Sequence, residues 1–141
     1  LWANEMGPLH GDELNLISKG ENYGWPLVSE GNHYNGQYIP SHKTNEKFSP
    51  PVRYWVPTIA PSSLVFMPTT KDSNWSGNAV ITGLKSKSIF RLEIQNNQII
   101  KQEQFYIGKR MRAITVGSDL TLWAIEDGNL GRLLKLELKQ N

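Results

Sequence analysis

The sequence predicts an all-β protein, and three features carry that prediction. From residue 62 onward, short segments rich in β-branched and aromatic residues alternate with turns of Asn, Asp, Gly and Ser. Within several segments the apolar residues recur at every second position, which is the period of a strand with one buried face. Residues 7–61 contain no 3.6-residue apolar period, so no amphipathic helix is expected there.

Seven strands are expected in the second half, in two sets. The first set is 62–67, 79–84, 88–94 and 99–107, and the second is 113–116, 120–125 and 132–138. Arg91 and Glu93 alternate with apolar neighbours, and Lys135 and Glu137 do the same near the end of the chain. Strands of this length and spacing suit a sandwich, a barrel or propeller blades. Because both sets contain a strand with an Arg-Leu pair, Arg91-Leu92 and Arg132-Leu133, the pattern favours repeating blades.

The first half predicts loops. Residues 7–61 hold seven of the eight prolines and many Gly, Asn and Ser residues. The stretch 4–15 is too dense in Gly, Pro, Asn, Asp and Glu to predict a regular element, whereas residues 1–4 resemble a strand already in progress. We expect one partial domain, loop-rich over 1–61 and built of blade strands over 62–141. Since the chain opens without an initiator Met or a signal peptide, we expect it to be a piece of a longer protein.

Composition narrows the function classes. Hydrophobic residues make up 38% of the chain and charged residues 20%, which is typical of a globular protein. A formal net charge of +2 without a long basic run does not favour nucleic-acid binding. No apolar stretch approaches the roughly 20 residues of a membrane span. Cysteine is absent, and no phosphate loop, GxGxxG, GxSxG or HExxH motif supports a nucleotide-binding, hydrolase or zincin class.

Gly7-Pro8 and Asp12-Glu13 form a first candidate site. Calcium takes about six to eight oxygen ligands, which loop carbonyls and carboxylates supply. The alternative is a Gly-Pro turn followed by a solvated acidic pair, and composition alone favours that alternative. The spacing is not that of an EF-hand, so no standard motif decides between the two.

Three basic residues form a second candidate site. Lys85 is expected at a strand end, and Arg110 and Arg112 straddle Met111, so both arginines point to one face of an extended segment. Two guanidinium groups on one face suit a ligand with several carboxylates, because Arg binds carboxylate through two parallel hydrogen bonds. The alternative, favoured by spacing alone, is an exposed basic edge that discourages strand pairing.

Aromatic residues and histidines in the loops complete the candidates. The aromatics that could stack on a flat cofactor or a sugar ring, or simply anchor the loops, are Trp25, Tyr34, Tyr54 and Trp55. The histidines are His10, His33 and His42. None of the three has a carboxylate partner at a telling sequence spacing, so we expect surface positions and assign none of them a catalytic role.

Several sequence blocks resemble the quinoprotein glucose/sorbosone dehydrogenase family, which includes the aldose sugar dehydrogenases. The blocks are Glu5-Met6-Gly7-Pro8, Gly11-Asp12-Glu13-Leu14-Asn15-Leu16-Ile17, Asn22-Tyr23-Gly24-Trp25-Pro26, Trp55-Val56-Pro57-Thr58-Ile59-Ala60-Pro61-Ser62-Ser63, Gly83-Leu84-Lys85, Ile89-Phe90-Arg91-Leu92, Arg110-Met111-Arg112 and Gly131-Arg132-Leu133-Leu134. They run in the family's order and cover nearly the whole chain. Together they are highly specific, although none would be alone.

The resemblance implies a fold, a reaction and two cofactors. The family fold is a six-bladed β-propeller that binds pyrroloquinoline quinone (PQQ) and calcium and oxidises the anomeric carbon of aldoses to lactones. At the metal sites, the carbonyls of Gly7 and Pro8 would hold the calcium that clamps the quinone, and a structural calcium would lie near Glu13 and Tyr23. Around the quinone, the resemblance places Lys85, Arg110 and Arg112 at its carboxylates and oxygens, and Tyr34, Trp55 and Thr58 along the cofactor or sugar site.

The resemblance also implies what this chain lacks. The length suits about two blades plus a long loop, the C-terminal part of a six-bladed propeller. In the family, hydride passes from sugar C1 to quinone C5, and the base that takes the hydroxyl proton is a His on an earlier blade, which is absent here. The family's upstream Arg-Asn pair beside the cofactor is absent too, and Met6 stands where relatives often carry His or Gln. We therefore expect negligible activity from this chain alone.

The expected partners follow from the same resemblance. They are an aldose substrate, an electron acceptor that the sequence does not identify, and either a second copy of the chain or the missing propeller half. No nucleic acid and no membrane span are expected, and the periplasm is the expected location. The rival hypothesis is a non-enzymatic β-module that binds calcium or carbohydrate and has lost the redox role.

Overall fold

A computed structural model describes residues 1–71 and 73–138. Within those residues the regular elements are ten β-strands and one short 3₁₀ helix, so the predicted all-β class is confirmed. The chain divides into two compact units, Leu1–Ala60 and Pro61–Asn141. No helix in the described part is long and apolar enough to cross a bilayer.

The first unit contains a three-stranded antiparallel sheet, of which the sequence predicted only the first strand. Its strands β1 (Trp2–Glu5), β2 (Asp12–Leu16) and β3 (Arg53–Trp55) lie in the order β1-β2-β3. The expectation of loops throughout 7–61 is therefore wrong at β2 and β3. The reason lies in β2, where the consecutive residues 12–15 are all buried and three of the four are polar, so no alternation of apolar residues marks the strand.

Long connections in the first unit are ordered by specific contacts. Leu9 and Asn32 exchange two backbone hydrogen bonds of 2.8 and 3.1 Å, which join the β1–β2 loop to the β2–β3 loop. The β2–β3 loop also buries Val28 and Ile39 and contains the 3₁₀ helix His42–Thr44, which is capped by Ser41. These contacts fix the loops that carry the candidate residues.

The second unit contains all seven strands predicted for residues 62–138. In the first sheet, β4 (Pro61–Phe66), β5 (Ala79–Gly83), β6 (Ser88–Gln95) and β7 (Gln98–Tyr106) are antiparallel and lie in chain order. In the second sheet, β8 (Met111–Val116), β9 (Leu122–Glu126) and β10 (Leu133–Leu136) lie in the order β10-β9-β8. Four strands followed by three correspond to the two successive sets that the sequence predicted.

The core of the second unit lies between its two sheets. Its buried residues are Met67, Val80, Ile89, Met111, Ile114, Leu122 and Ala124. Polar contacts reinforce the packing, since the Ser62 hydroxyl donates to the Met111 carbonyl at 2.7 Å. A bulge in β8 at Arg112 shifts the strand's register, so that Met111 and Ile114, three positions apart, both face inward.

Candidate functional site

A cleft of about 650 Å³ opens in the first unit. Its walls come from the β1–β2 loop, from β2 and from the start of the β2–β3 loop. Five of the predicted site residues line it: Gly7, Pro8, Glu13, Tyr23 and Tyr34. The structure therefore brings together the four residues assigned to metal binding and one of those assigned to the cofactor.

Asp12 holds the loops behind the cleft. Its side chain is 1% exposed, and one carboxylate oxygen accepts the backbone N–H of Gly7 at 3.0 Å. The other oxygen accepts the Thr58 hydroxyl at 2.5 Å and the backbone N–H groups of Ile59 and Ala60, both at 2.7 Å. The alternative of a solvated acidic pair is thus wrong, because both members are buried and Asp12 is a structural hub.

The Gly7-Pro8 turn places two backbone carbonyls beside the cleft. None of the hydrogen bonds described for residues 1–71 and 73–138 ends on the carbonyl of Gly7 or Pro8. A Cβ atom at Gly7 would lie 2.3 Å from the His10 carbonyl oxygen, so only glycine fits there. Two carbonyls in a fixed turn beside a cleft fit the donor set of a hard cation such as calcium.

Glu13 is a buried carboxylate facing a second one. It pairs directly with Glu5 across β1 and β2, and the Asn15 amide donates to Glu5 at 2.7 Å and to Glu13 at 3.2 Å. Burial raises the pKa of the Glu13 carboxyl, and the hydrogen bond from Asn15 opposes that rise. The facing carboxylates of Glu5 and Glu13 fit a cation better than they fit an apolar environment.

Tyr23 is already engaged by protein groups. Its hydroxyl donates to the Leu16 carbonyl at 2.8 Å and accepts the Ser18 N–H at 2.9 Å. Its carbonyl accepts a hydrogen bond of 2.9 Å from Nε2 of His42. A carbonyl has two lone pairs, so that of Tyr23 still has one with which to bind a cation.

His42 is the residue that sequence reasoning placed wrongly. It is buried, not on the surface, and its Nδ1 lies 3.2 Å from the Glu30 carboxylate. Nε2 faces the carbonyl of Tyr23 and Nδ1 faces the carboxylate of Glu30, so each ring nitrogen lies beside an acceptor. Twelve residues separate Glu30 from His42, a spacing that no local pattern marks.

The predicted aromatics differ sharply in exposure. Tyr34 is 80% exposed and Trp25 is 60% exposed, and both line the cleft, where Trp25 lies 6.3 Å from the His33 ring. Trp55 is only 5% exposed, at the end of β3. Thr58 directs its hydroxyl to Asp12. Neither Trp55 nor Thr58 lines the cleft.

The second unit carries the basic residues. Lys85 is exposed in the β5–β6 turn, and the Lys87 carbonyl of that turn accepts the backbone N–H groups of Ile107 and Gly108. This link fixes the turn to the segment that leads into Arg110. Arg110 and Arg112 share one acceptor, Asp127, whose oxygens accept Nε of Arg110 at 2.7 Å and Nε of Arg112 at 2.9 Å. The predicted common face of the two arginines is therefore observed.

Two neighbouring carboxylates at the end of β9, Glu126 and Asp127, pair with different arginines. Hydrogen bonds from Arg110 and then Arg112 hold the pKa of Asp127 below its ordinary value. Glu126 is held below its ordinary pKa by Arg132, which donates to both of its oxygens at 3.0 and 2.6 Å. Since Arg132 satisfies Glu126, only Asp127 of the two contacts the arginine pair.

In the part of the chain that the structure describes, side chains alone do not form a metal centre. Among residues 1–71 and 73–138, no group of three His, Cys, Asp or Glu side chains is close enough to hold an ion. A metal at the cleft would therefore need the backbone carbonyls. The donor set is that of a hard cation, not of zinc.

The sheets are those of a β-propeller protein. The first unit adds a loop cleft lined by oxygen atoms, and the second unit adds a cluster of basic residues. The family model described as Glucose / Sorbosone dehydrogenase matches residues 1–135, and the chain belongs to that family. The resemblance stated from the sequence blocks is confirmed.

Known relatives agree in sequence and in structure. Aldose sugar dehydrogenase YliI of Escherichia coli is 34% identical over 140 residues, which is 96% of this chain and 38% of that protein. A crystal structure of a glucose dehydrogenase matches 98% of this chain and 41% of its own, with a TM-score of 0.90 and 32% identity. The PQQ-bound aldose sugar dehydrogenase of Streptomyces coelicolor matches 95% of this chain and 38% of its own, with a TM-score of 0.69 and 25% identity. The chain spans little more than a third of the length of the curated relatives it matches.

Proposed function

We propose that this chain is the calcium- and carboxylate-binding part of a PQQ-dependent aldose dehydrogenase. The observation that carries the proposal is the arginine pair held on one face by Asp127, in a family with a PQQ-bound member. PQQ bears several carboxylates, and paired guanidinium groups are suited to carboxylate recognition.

In this proposal each unit carries binding residues of its own. Arg110, Arg112 and Lys85 bind the carboxylates and oxygens of the quinone. The carbonyls of Gly7 and Pro8 bind calcium, and Glu13 contributes charge at a second cation site with the carbonyl of Tyr23. Support comes from the carbonyls of Gly7 and Pro8, which accept none of the hydrogen bonds described for residues 1–71 and 73–138. It comes also from the burial of Glu13 opposite Glu5, which a cation would compensate.

The reaction proposed is oxidation of an aldose at its anomeric carbon to a lactone. When bound, PQQ would supply the hydride acceptor at its C5 carbon, and calcium would supply a Lewis acid. The exposed rings of Tyr34 and Trp25 offer apolar faces for a sugar or for the cofactor. The acceptor of the electrons is not assigned, and the periplasm is the proposed location.

The base for this reaction is proposed to lie outside these residues. A base must reach the proton of the C1 hydroxyl with an unengaged lone pair. Nδ1 of His10 accepts the Thr58 N–H at 3.2 Å, and both ring nitrogens of His42 face acceptors. His33 lies against Trp25 in the cleft, and among the described contacts no carboxylate orients its ring, so it lacks the third group that positions a catalytic base. The chain alone is therefore expected not to turn over sugar.

Titration with PQQ in calcium buffer tests the proposal. Arg110→Ala and Lys85→Ala should each weaken quinone binding by about tenfold, because each removes a charge-assisted contact. Lys47→Ala, on an exposed loop of the first unit, serves as the charge-matched control and should leave binding unchanged. Equal affinity in all four proteins would overturn the proposed quinone site. Sugar-dependent dye reduction by the loaded chain would overturn the statement that the base lies elsewhere.

The rival function is a non-enzymatic β-module that binds calcium or carbohydrate. It is favoured by one observation, the engagement of His10 and His42 in structural contacts. Calcium binding without any affinity for PQQ would support this rival. Calcium-dependent PQQ binding would support the dehydrogenase.

A further inference from the structure

Asp127 lies at the centre of the basic cluster, although no sequence pattern singled it out. Its carboxylate is 21% exposed, whereas the side chains of Arg110 and Arg112 are 50% and 52% exposed. One oxygen accepts Nε of Arg110, and the other accepts Nε and Nη2 of Arg112 at 2.9 and 2.8 Å. Each arginine is thus held by Asp127 through its Nε atom, and Arg112 is held through Nη2 as well.

The backbone fixes Asp127 in this position. Its N–H donates to the carbonyl of Arg110 at 2.7 Å, so the residue is tied to the strand segment whose arginines it contacts. The neighbouring Glu126 is occupied by Arg132, which leaves Asp127 as the carboxylate that meets the pair. The bulge at Arg112 leaves that residue out of the β8–β9 pairing, and bulges of this kind reorient a side chain.

The Nη atoms that do not contact Asp127 could donate hydrogen bonds to a ligand. Within residues 1–71 and 73–138, no described hydrogen bond or ion pair uses either Nη atom of Arg110 or the Nη1 atom of Arg112. A long arginine side chain loses rotamer entropy when it binds a ligand. That loss is smaller when Asp127 already holds the Nε atom in place.

We propose that Asp127 is a positioning residue that holds Arg110 and Arg112 as a preformed two-armed receptor for ligand carboxylates. The inference rests on the proposed function for the identity of the natural ligand, the quinone. The alternative role for Asp127 is a counter-ion that shields the arginines and competes with the ligand. The two roles predict opposite signs: loss of a positioning residue weakens anion binding, and loss of a shield strengthens it.

Calorimetric titration of the wild type, Asp127→Asn and Glu103→Gln tests the proposal. Asn keeps the backbone donor and the size of the side chain but removes its charge. Glu103 is the matched control, because its carboxylate also contacts two cations, Arg91 and Lys101, and its loss changes net charge equally. Each protein is titrated with citrate in calcium-free buffer and, separately, with PQQ in calcium buffer.

We expect Asp127→Asn to weaken binding of both probes by about tenfold and Glu103→Gln to change neither by more than about twofold. Unchanged or tighter binding in Asp127→Asn would overturn the proposal, as would a wild type that binds neither probe. A wild type that binds citrate in an Asp127-dependent way but does not bind PQQ would support the positioning role and overturn the proposed function.

Two further readouts separate positioning from a general loss of structure. The Nε–H resonances of Arg110 and Arg112 should shift in Asp127→Asn, and the thermal midpoint should stay within a few degrees of the wild type because the contacts are exposed. Asp127→Glu, which restores the charge, should recover part of the lost citrate affinity. A large fall in the midpoint together with no recovery would overturn positioning in favour of a purely structural role.

Discussion

At the scale of the residue, the first unit depends on buried polar side chains. Asp12 satisfies four donors from two loops, and the pair of Glu30 and His42 fastens the loop that bears Tyr23. Buried polar groups of this kind cost little when satisfied and a great deal when a partner is removed. The candidate metal loop is thus positioned by residues that do not themselves line the cleft.

Asp12→Ala should destabilise the protein by about 3 kcal/mol or more, because it leaves the N–H groups of Gly7, Ile59 and Ala60 without an acceptor. Denaturant unfolding measures the loss. Thr58→Val removes only the hydroxyl donor and should cost less. Equal stability of Asp12→Ala and the wild type would refute the structural role of Asp12.

Glu126 gives a pH dependence with a defined sign. Its pKa is lowered from an ordinary value of 4.5 by Arg132, so the folded state favours the ionised form. The stabilisation that the Glu126–Arg132 pair contributes is fully present above pH 4.5. It is lost as the pH falls below 4.5 and passes the lowered pKa of Glu126 in the folded state. Glu126→Gln should therefore lower the thermal midpoint at pH 7 and flatten its decline in acid.

The control for that experiment is Glu137→Gln, whose side chain is 81% exposed. It should follow the wild-type pH profile. A Glu126→Gln profile that also matches the wild type at every pH would contradict the assignment of the Glu126–Arg132 pair as a stabilising contact.

At the scale of the element, strands with one buried face were predictable and strands of buried polar residues were not. In β6, Phe90 and Leu92 are buried while Arg91 and Glu93 are partly exposed, as the alternation predicts. In β2, Asp12, Glu13 and Asn15 are buried with Leu14, and their burial depends on partners in other loops. Periodicity can be derived from the sequence, but partners in other loops cannot. For that reason β2, β3 and the role of Asp127 were not predicted.

The sheet packing in the second unit predicts a contrast between two leucines. Leu122 on β9 is 1% exposed within the core, and Leu130 in the β9–β10 loop is 95% exposed. Leu122→Ala should cost about 2–5 kcal/mol, the usual range for such a truncation in a core, and Leu130→Ala should cost close to nothing. Comparable unfolding free energies for the two variants would contradict the core described here.

At the scale of the whole molecule, the chain has sheet edges that favour association. Within the second unit, β10 pairs with β9 on one side only, and Leu133 on β10 is 63% exposed. An apolar unpaired edge is a template for pairing with another strand. We expect sedimentation at micromolar concentration to show a species larger than the monomer.

Leu133→Lys should shift that equilibrium toward the monomer, because a charge on an edge strand discourages pairing. Lys135→Ala, which changes an exposed polar position on the same strand, is the control and should not dissociate the assembly. A wild type that sediments as a single monomeric species would contradict the expected self-association.

Both the proposed function and the proposed role of Asp127 with PQQ require this protein to bind PQQ, and the proposed function requires calcium for that binding. The most direct test is titration of the wild-type protein with PQQ, first in calcium and then after calcium is removed with a chelator. We expect saturable binding of one quinone per chain in calcium and loss of that binding in the chelator. Absence of quinone binding in calcium, or the same affinity with and without calcium, would contradict that expectation.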